Sequence, residues 1–183
     1  MIRLFVGLSL PEDVRNRLHT LACGLPGARW VDPVFHHVTV RFIGMVPEDV
    51  AEDIHTALLA VRGDGFTLEV AGLGTFGHGR RLHSLWAGVL PDPSLLALRD
   101  KVERAVTKAG LAPDSRRYTP HVTLARLKEA PPVRVQNFIA GNTLFHAGPF
   151  AVDRFILYSS VLSRNGAIYT PVAEYPLALQ PFS

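Results

Sequence analysis

The chain has 183 residues, 48% hydrophobic and 19% charged, with a formal net charge of +3. That length and apolar content suit one domain or two small lobes around a real core, and exclude a disordered chain. One cysteine, Cys23, excludes an intrachain disulfide and a Cys-rich metal centre, and its lack of a partner fits a reducing cytoplasm.

Ile2 to Leu10 alternates and is rich in β-formers. It reads as a first strand rather than a signal peptide, because Pro11, Glu12 and Asp13 follow at once and no small-residue cleavage site appears. Pro11 at the first helical position and the two acids behind it start a helix that runs to about Ala22 and stops near Gly24, Pro26 and Gly27. Trp30-Val31 and His36 to Ile43 follow as strands, the latter ending at Gly44. Pro47, Glu48 and Asp49 start a second helix, with Val50, Ile54, Ala57, Leu58 and Val61 at helical spacing. Phe66 to Leu73 and Ser84 to Leu90 are strands, separated by a Gly-rich loop, GTFGHGRR, from Gly74 to Arg81. A third helix spans about Ser94 to Ala109. Arg117 to Leu127 is a strand, Val133 to Ile139 a short helix, and Phe150 to Leu162 and Ala167 to Leu179 a strand pair. Asn165-Gly166 between them signals a type I′ turn. Nowhere does an apolar run reach the ~18 residues of a membrane span, so none is expected.

This order is mixed rather than strictly alternating, which predicts an α+β fold with largely antiparallel sheets. Each half reads strand, helix, strand, helix, strand. Two similar lobes facing one another across a cleft are therefore expected, with residues 1–183 forming a single bilobal domain.

The tripeptide His-Val-Thr occurs twice, at His37 and at His121, 84 positions apart. Residues i and i+2 of a strand share a face, so each imidazole lies beside a hydroxyl, Thr39 or Thr123. Two such strands brought together supply two groups titrating at ~6.5 and two hydroxyl donors. That inventory suits opening a phosphodiester: one histidine takes a proton from water, the other gives one to the departing oxygen, and the hydroxyls meet the non-bridging oxygens. The scheme needs no metal and no cofactor. The competing reading makes both strands plain core, with His and Thr satisfying each other. Two copies in matching halves favour a site. A metal centre is the other option, but two His and two Thr make a poor ligand set, and neither strand contributes a carboxylate.

Five residues beyond each histidine stand Phe42 and Arg126. Strict alternation puts both on the opposite face; they reach the cleft only where the strand bulges or ends. There, Phe42 would stack on a base and Arg126 would clamp phosphate. Otherwise Phe42 is core and Arg126 surface. Most of the basic residues are Arg, which fits a nucleic-acid substrate and fits a GC-rich coding bias equally. Arg80 and Arg81 on the Gly-rich loop, and Arg116 and Arg117, are candidates to follow a nucleic-acid backbone. His78 and His83 read as solvated loop residues, His19 and His55 as exposed helix residues, and His146 as part of an irregular segment. Trp30 and Trp86 read as core, and Tyr118 as a residue that orients phosphate or packs.

Five stretches carry a family resemblance: RLFVGLSLP from Arg3, RWVDPVFHHVTVRFIG from Arg29, GTFGHGRRLHSLWAGV from Gly74, RRYTPHVTLARL from Arg116, and FILYSSVLSRNGAIYTPVAEYPL near the C-terminus. The chain resembles the 2H phosphoesterases, named for two H-x-[ST]-apolar motifs, and within them the bacterial and archaeal RNA 2′,3′-cyclic phosphodiesterases, once called 2′-5′ RNA ligases. The resemblance implies a bilobal antiparallel fold. It implies metal-independent opening of a terminal 2′,3′-cyclic phosphate on RNA to a 2′-phosphate, with joining of tRNA halves through a 2′-5′ linkage in vitro. Carried over, His37 is the general acid and His121 the general base, Thr39, Thr123 and Arg126 hold phosphate, and Phe42 contacts the terminal base. His36 departs from the family's usual apolar residue and is given no catalytic role. Rival readings are an RNA-end-binding module without turnover and a phosphodiesterase for small cyclic nucleotides. A cytoplasmic monomer is expected.

Overall fold

A computed structural model describes residues 1–179, which form four helices and nine strands. The strands are β1 (Ile2–Ser9), β2 (Ala28–Trp30), β3 (His37–Val46), β4 (Phe66–Phe76), β5 (Ser84–Val89), β6 (His121–Leu127), β7 (His146–Val152), β8 (Arg154–Ser163) and β9 (Gly166–Pro176). The helices are α1 (Glu12–His19), α2 (Glu48–Leu59), α3 (Pro93–Lys108) and α4 (Pro132–Ala140). Helix starts follow their sequence signals. Asp92 accepts from the backbone N–H groups of Ser94 and Leu95, with Pro93 behind it, and Glu12-Asp13 and Glu48-Asp49 fill the first turns of α1 and α2. Among the described residues no helix is long and apolar enough to cross a membrane.

Two antiparallel sheets result, ordered β3-β1-β8-β9 and β2-β6-β5-β4-β7. In each, a motif strand lies beside the strand that precedes it across a helix, β3 beside β1 and β6 beside β5. The lobes are similar, as the repeated pattern predicts. They are not the two sequence halves, however. β4, the last strand of the first half, joins the second sheet, and β8 and β9 from the end of the chain complete the first. One apolar cluster runs through both sheets and three helices, from Leu4, Val6 and Val38 to Val70, Ala87 and Val122, with Ile54, Leu95 and Val102 packed between.

Other boundaries moved for local reasons. The expected strand from Phe150 to Leu162 breaks at Asp153, because β7 pairs with β4 and β8 with β1 in the other sheet. His146 thus begins a strand, where its Nε2 meets Glu69 at 2.8 Å, rather than an irregular segment. Helix α1 stops at His19, three residues short of Ala22. β4 continues through Gly74 to Phe76, because that part of the Gly-rich stretch pairs with β5. The β8–β9 turn is not type I′. Ser163 pairs with Gly166, so Arg164 and Asn165 are its centre, and the positive φ of 115° falls on Gly166 instead of Asn165. A type I turn closed by a left-handed glycine gives that arrangement.

Candidate active site

The two motif strands repeat one local design. In β3 the burial of successive residues alternates until Val40 and Arg41, which both face inward, after which Phe42 is 46% exposed. The register shows why: Gly7 pairs with Thr39 but Val6 with Arg41, so one extra residue is inserted at Val40. In β6 the extra residue is Leu124, since Trp86 pairs with Thr123 and Leu85 with Ala125. A bulge of this kind flips the residues beyond it to the other face. Phe42 therefore joins His37 and Thr39, and Arg126 joins His121 and Thr123. The condition on which both depended is met at the same position in both strands.

Each imidazole is held in the same way. His37 Nδ1 lies 2.8 Å from the carbonyl of Phe35, and His121 Nδ1 lies 2.6 Å from that of Thr119. A carbonyl only accepts, so in each ring Nδ1 carries the hydrogen and Nε2 is left to work. His37 Nε2 sits 3.1 Å from Thr39 Oγ1.

The sheets bring the two faces together. Tyr118, just ahead of His121, donates its hydroxyl to the Thr39 carbonyl at 2.8 Å, tying the approach to β6 onto β3. It holds the lobes rather than a phosphate. Burial lowers the pKa of His37 from 6.5 to about 4 against the opposing Phe35 carbonyl, with further depression from His121 and Arg126. His121 is lowered too, first by burial, then by Arg126, against its bond to Thr119. The three groups share one electrostatic neighbourhood.

Several residues that line the site were not read from the sequence. His37 is walled by Phe5, with ring centroids 4.7 Å apart, and by Tyr169 edge-on at 5.1 Å. His121 meets Phe76 edge-on at 4.9 Å and Trp86 at 5.8 Å. Trp86 is accordingly not a core residue. Its ring covers Gly74 so closely that any Cβ there would lie 2.3 Å from it. Arg126 Nη1 donates to Ser84 Oγ at 3.2 Å, and the same oxygen lies 3.0 Å from Nδ1 of His83, which is an exposed loop residue as expected. Aromatic and hydroxyl residues in strands carry no chemical signature of their own; only the cross-strand register reveals their face.

The remaining candidates are not gathered there. His36 turns into the core, 5% exposed. His55 is half-buried against the Tyr175 hydroxyl at 2.7 Å, not exposed as its helix suggested. Arg116 is bound to Asp114 by paired contacts at 3.0 Å. Arg80 and Arg81 are exposed on the single turn between β4 and β5.

Two antiparallel lobes, each presenting an H-x-T strand with a bulge after it, define a 2H phosphoesterase. The chain belongs to the 2′-5′ RNA ligase superfamily, whose family model matches residues 10–163. It is 37% identical to the RNA 2′,3′-cyclic phosphodiesterase of Aeropyrum pernix over 85% of this chain and 89% of that one. It is 31% identical to the enzyme of the same name from Aquifex aeolicus, over 97% and 98%. Among solved structures, E. coli LigT complexed with 3′-AMP superposes with a TM-score of 0.77 at 25% identity, covering 96% of this chain and 98% of that one.

Proposed function

We propose that this protein opens terminal 2′,3′-cyclic phosphates on RNA to leave a 2′-phosphate and a 3′-hydroxyl, without a metal or other cofactor, and that residues 1–183 act as one monomeric unit. Water attacks phosphorus and gives its proton to His121 Nε2; the P–O3′ bond breaks and O3′ takes a proton from His37 Nε2. Thr39, Thr123 and Arg126 hold the non-bridging oxygens as charge gathers on them, and Phe42 stacks on the terminal base. A 5′-hydroxyl in place of water leads through the same steps to a 2′-5′ linkage, the joining reaction of which tRNA halves are the expected substrate.

The observation that carries this reading is the matched pair of imidazoles, each with Nδ1 committed to the carbonyl two residues back. A protein that only held RNA ends gains nothing from two rings fixed in one tautomer. His37 as the acid needs a protonated Nε2. Its low pKa in the free protein disfavours that form, and the phosphate's negative charge favours it once bound.

The test is turnover of a short RNA ending in a 2′,3′-cyclic phosphate, measured in EDTA. His37→Ala and His121→Ala each reduce it at least ~100-fold, the usual size of an acid–base contribution. The dependence of kcat/KM on pH is bell-shaped and centred below 6.5, because both histidines are shifted downward. Turnover that survives both substitutions, or a profile flat from about pH 5 to 9, overturns the scheme.

A further inference from the structure

Arg29 of β2 stands directly opposite Arg126 of β6, and Arg126 opposite Ser84 of β5. Residues opposite one another in an antiparallel ladder share a face. Two guanidinium side chains therefore spring side by side from the cleft face, at the end of β6 remote from His121. Like charges directly opposite destabilise a ladder. Yet among the described residues neither arginine has a carboxylate in ion-pair reach. Both are nonetheless fixed. Arg126 donates to Ser84, and Arg29 Nη2 donates to the Arg164 carbonyl at 2.7 Å, at the tip of the β8–β9 hairpin from the other lobe. Each keeps further N–H donors unspent. A pair of anchored positive charges with no negative partner among the described residues is complementary to a pair of negative charges on a ligand.

β2 is an edge strand and Arg29 is exposed, so this position lies at the open edge of the second sheet. We propose that Arg29 binds the phosphodiester immediately 5′ of the terminal nucleotide while Arg126 takes the cyclic phosphate. The cleft then selects a polynucleotide end over a lone nucleotide. The inference rests on the phosphodiesterase reading above and adds to it a second phosphate subsite.

Three substrates test it: a mononucleoside 2′,3′-cyclic phosphate, a dinucleotide ending in one, and the same dinucleotide with an uncharged methylphosphonate at its internal linkage. The unmodified protein prefers the charged dinucleotide in kcat/KM. Arg29→Ala lowers that preference about tenfold or more, the size of one charge-assisted hydrogen bond. Replacing the linkage by methylphosphonate costs the unmodified protein a similar factor and the variant almost nothing. Arg29→Gln, which can still donate to the Arg164 carbonyl but carries no charge, behaves like Arg29→Ala. Equal losses on mononucleotide and dinucleotide overturn the inference, because Arg29 then serves the terminal phosphate or only the hairpin. So does a Gln variant that keeps the full preference, or an Ala variant still sensitive to methylphosphonate; in each of these cases the hydrolase reading stands. If the unmodified protein opens none of the three substrates, that reading fails and the subsite with it.

Discussion

His36 and His37 are neighbours with opposite fates. His37 is held on the cleft face by the Phe35 carbonyl. His36 points into the core, where its Nδ1 has no hydrogen-bond partner among the described residues. Burial, with the charges of His37 and His19 adding to it, lowers His36 from 6.5 to about 4. The unfolded chain takes up a proton at His36 between pH 6.5 and 4 that the folded protein refuses. Stability therefore falls as the pH drops through that window and is unaffected by this group above it. A shift of that size corresponds to roughly 3 kcal/mol once the window is crossed. His36→Leu is expected to raise Tm modestly at pH 7.5, by removing a buried unpaired polar atom, and more at pH 5. Thermal melts at the two pH values check this, and a variant no more stable at pH 5 contradicts it. At this scale the sequence was informative wherever chemistry and period coincide: His37 with Thr39, and His121 with Thr123, two apart on one face. Phe5, Tyr169, Phe76 and Trp86 were not legible, because an aromatic residue in a strand looks the same whether it faces core or cleft.

The bulge is the element that converts a motif into a site. Without it, alternation would direct Arg41 and Ala125 to the cleft and leave Phe42 and Arg126 behind the sheets. With it, Phe42 and Arg126 come forward, and Arg41 is driven inward to 7% exposure. A buried guanidinium requires partners, and α3 and the loop after it supply them. Arg41 Nε donates to Glu103, and Nη2 to the Ala112 carbonyl at 2.7 Å, while Glu103 also accepts from the Asp114 backbone N–H at 2.9 Å. Burial opposes ionisation of Glu103, but those two hydrogen bonds outweigh it and hold its pKa below the usual 4.5. The pair thus contributes above about pH 4.5, and the contribution is lost as the pH falls through the lower folded value. Glu103→Ala leaves Arg41 buried and uncompensated, which costs about 3–5 kcal/mol. Chemical denaturation at pH 7 measures it; a loss under about 1 kcal/mol places Arg41 in reach of water instead. Sequence reasoning named the bulge only as a condition, because nothing in HVTVRFIG or HVTLARL marks where the extra residue goes. The partner strand decides it, through the pairing of Gly7 with Thr39 and of Trp86 with Thr123.

At the scale of the molecule, the α+β class and the doubled pattern were legible, since strands and helices announced themselves through period and capping. The exchange of β4 and β8 between lobes was not, because local sequence cannot say which sheet a strand will join. That exchange and the shared apolar cluster leave no half of the chain with a core of its own. Unfolding is expected to be a single transition, with far-UV circular dichroism and tryptophan fluorescence giving the same midpoint. Two resolved midpoints would mean that the lobes melt separately.

The same exchange sets a schedule for synthesis. β1 is made well before the neighbour on its inner side, β8, some 150 residues downstream, so the first sheet stays half-built until β8 has been synthesised. Contacts that distant slow folding and leave an unsatisfied strand edge waiting beside the ribosome. A chain made only as far as β7 holds both motif strands but lacks the strand that completes the sheet seating His37, so the proposed phosphodiesterase is expected to wait for β8.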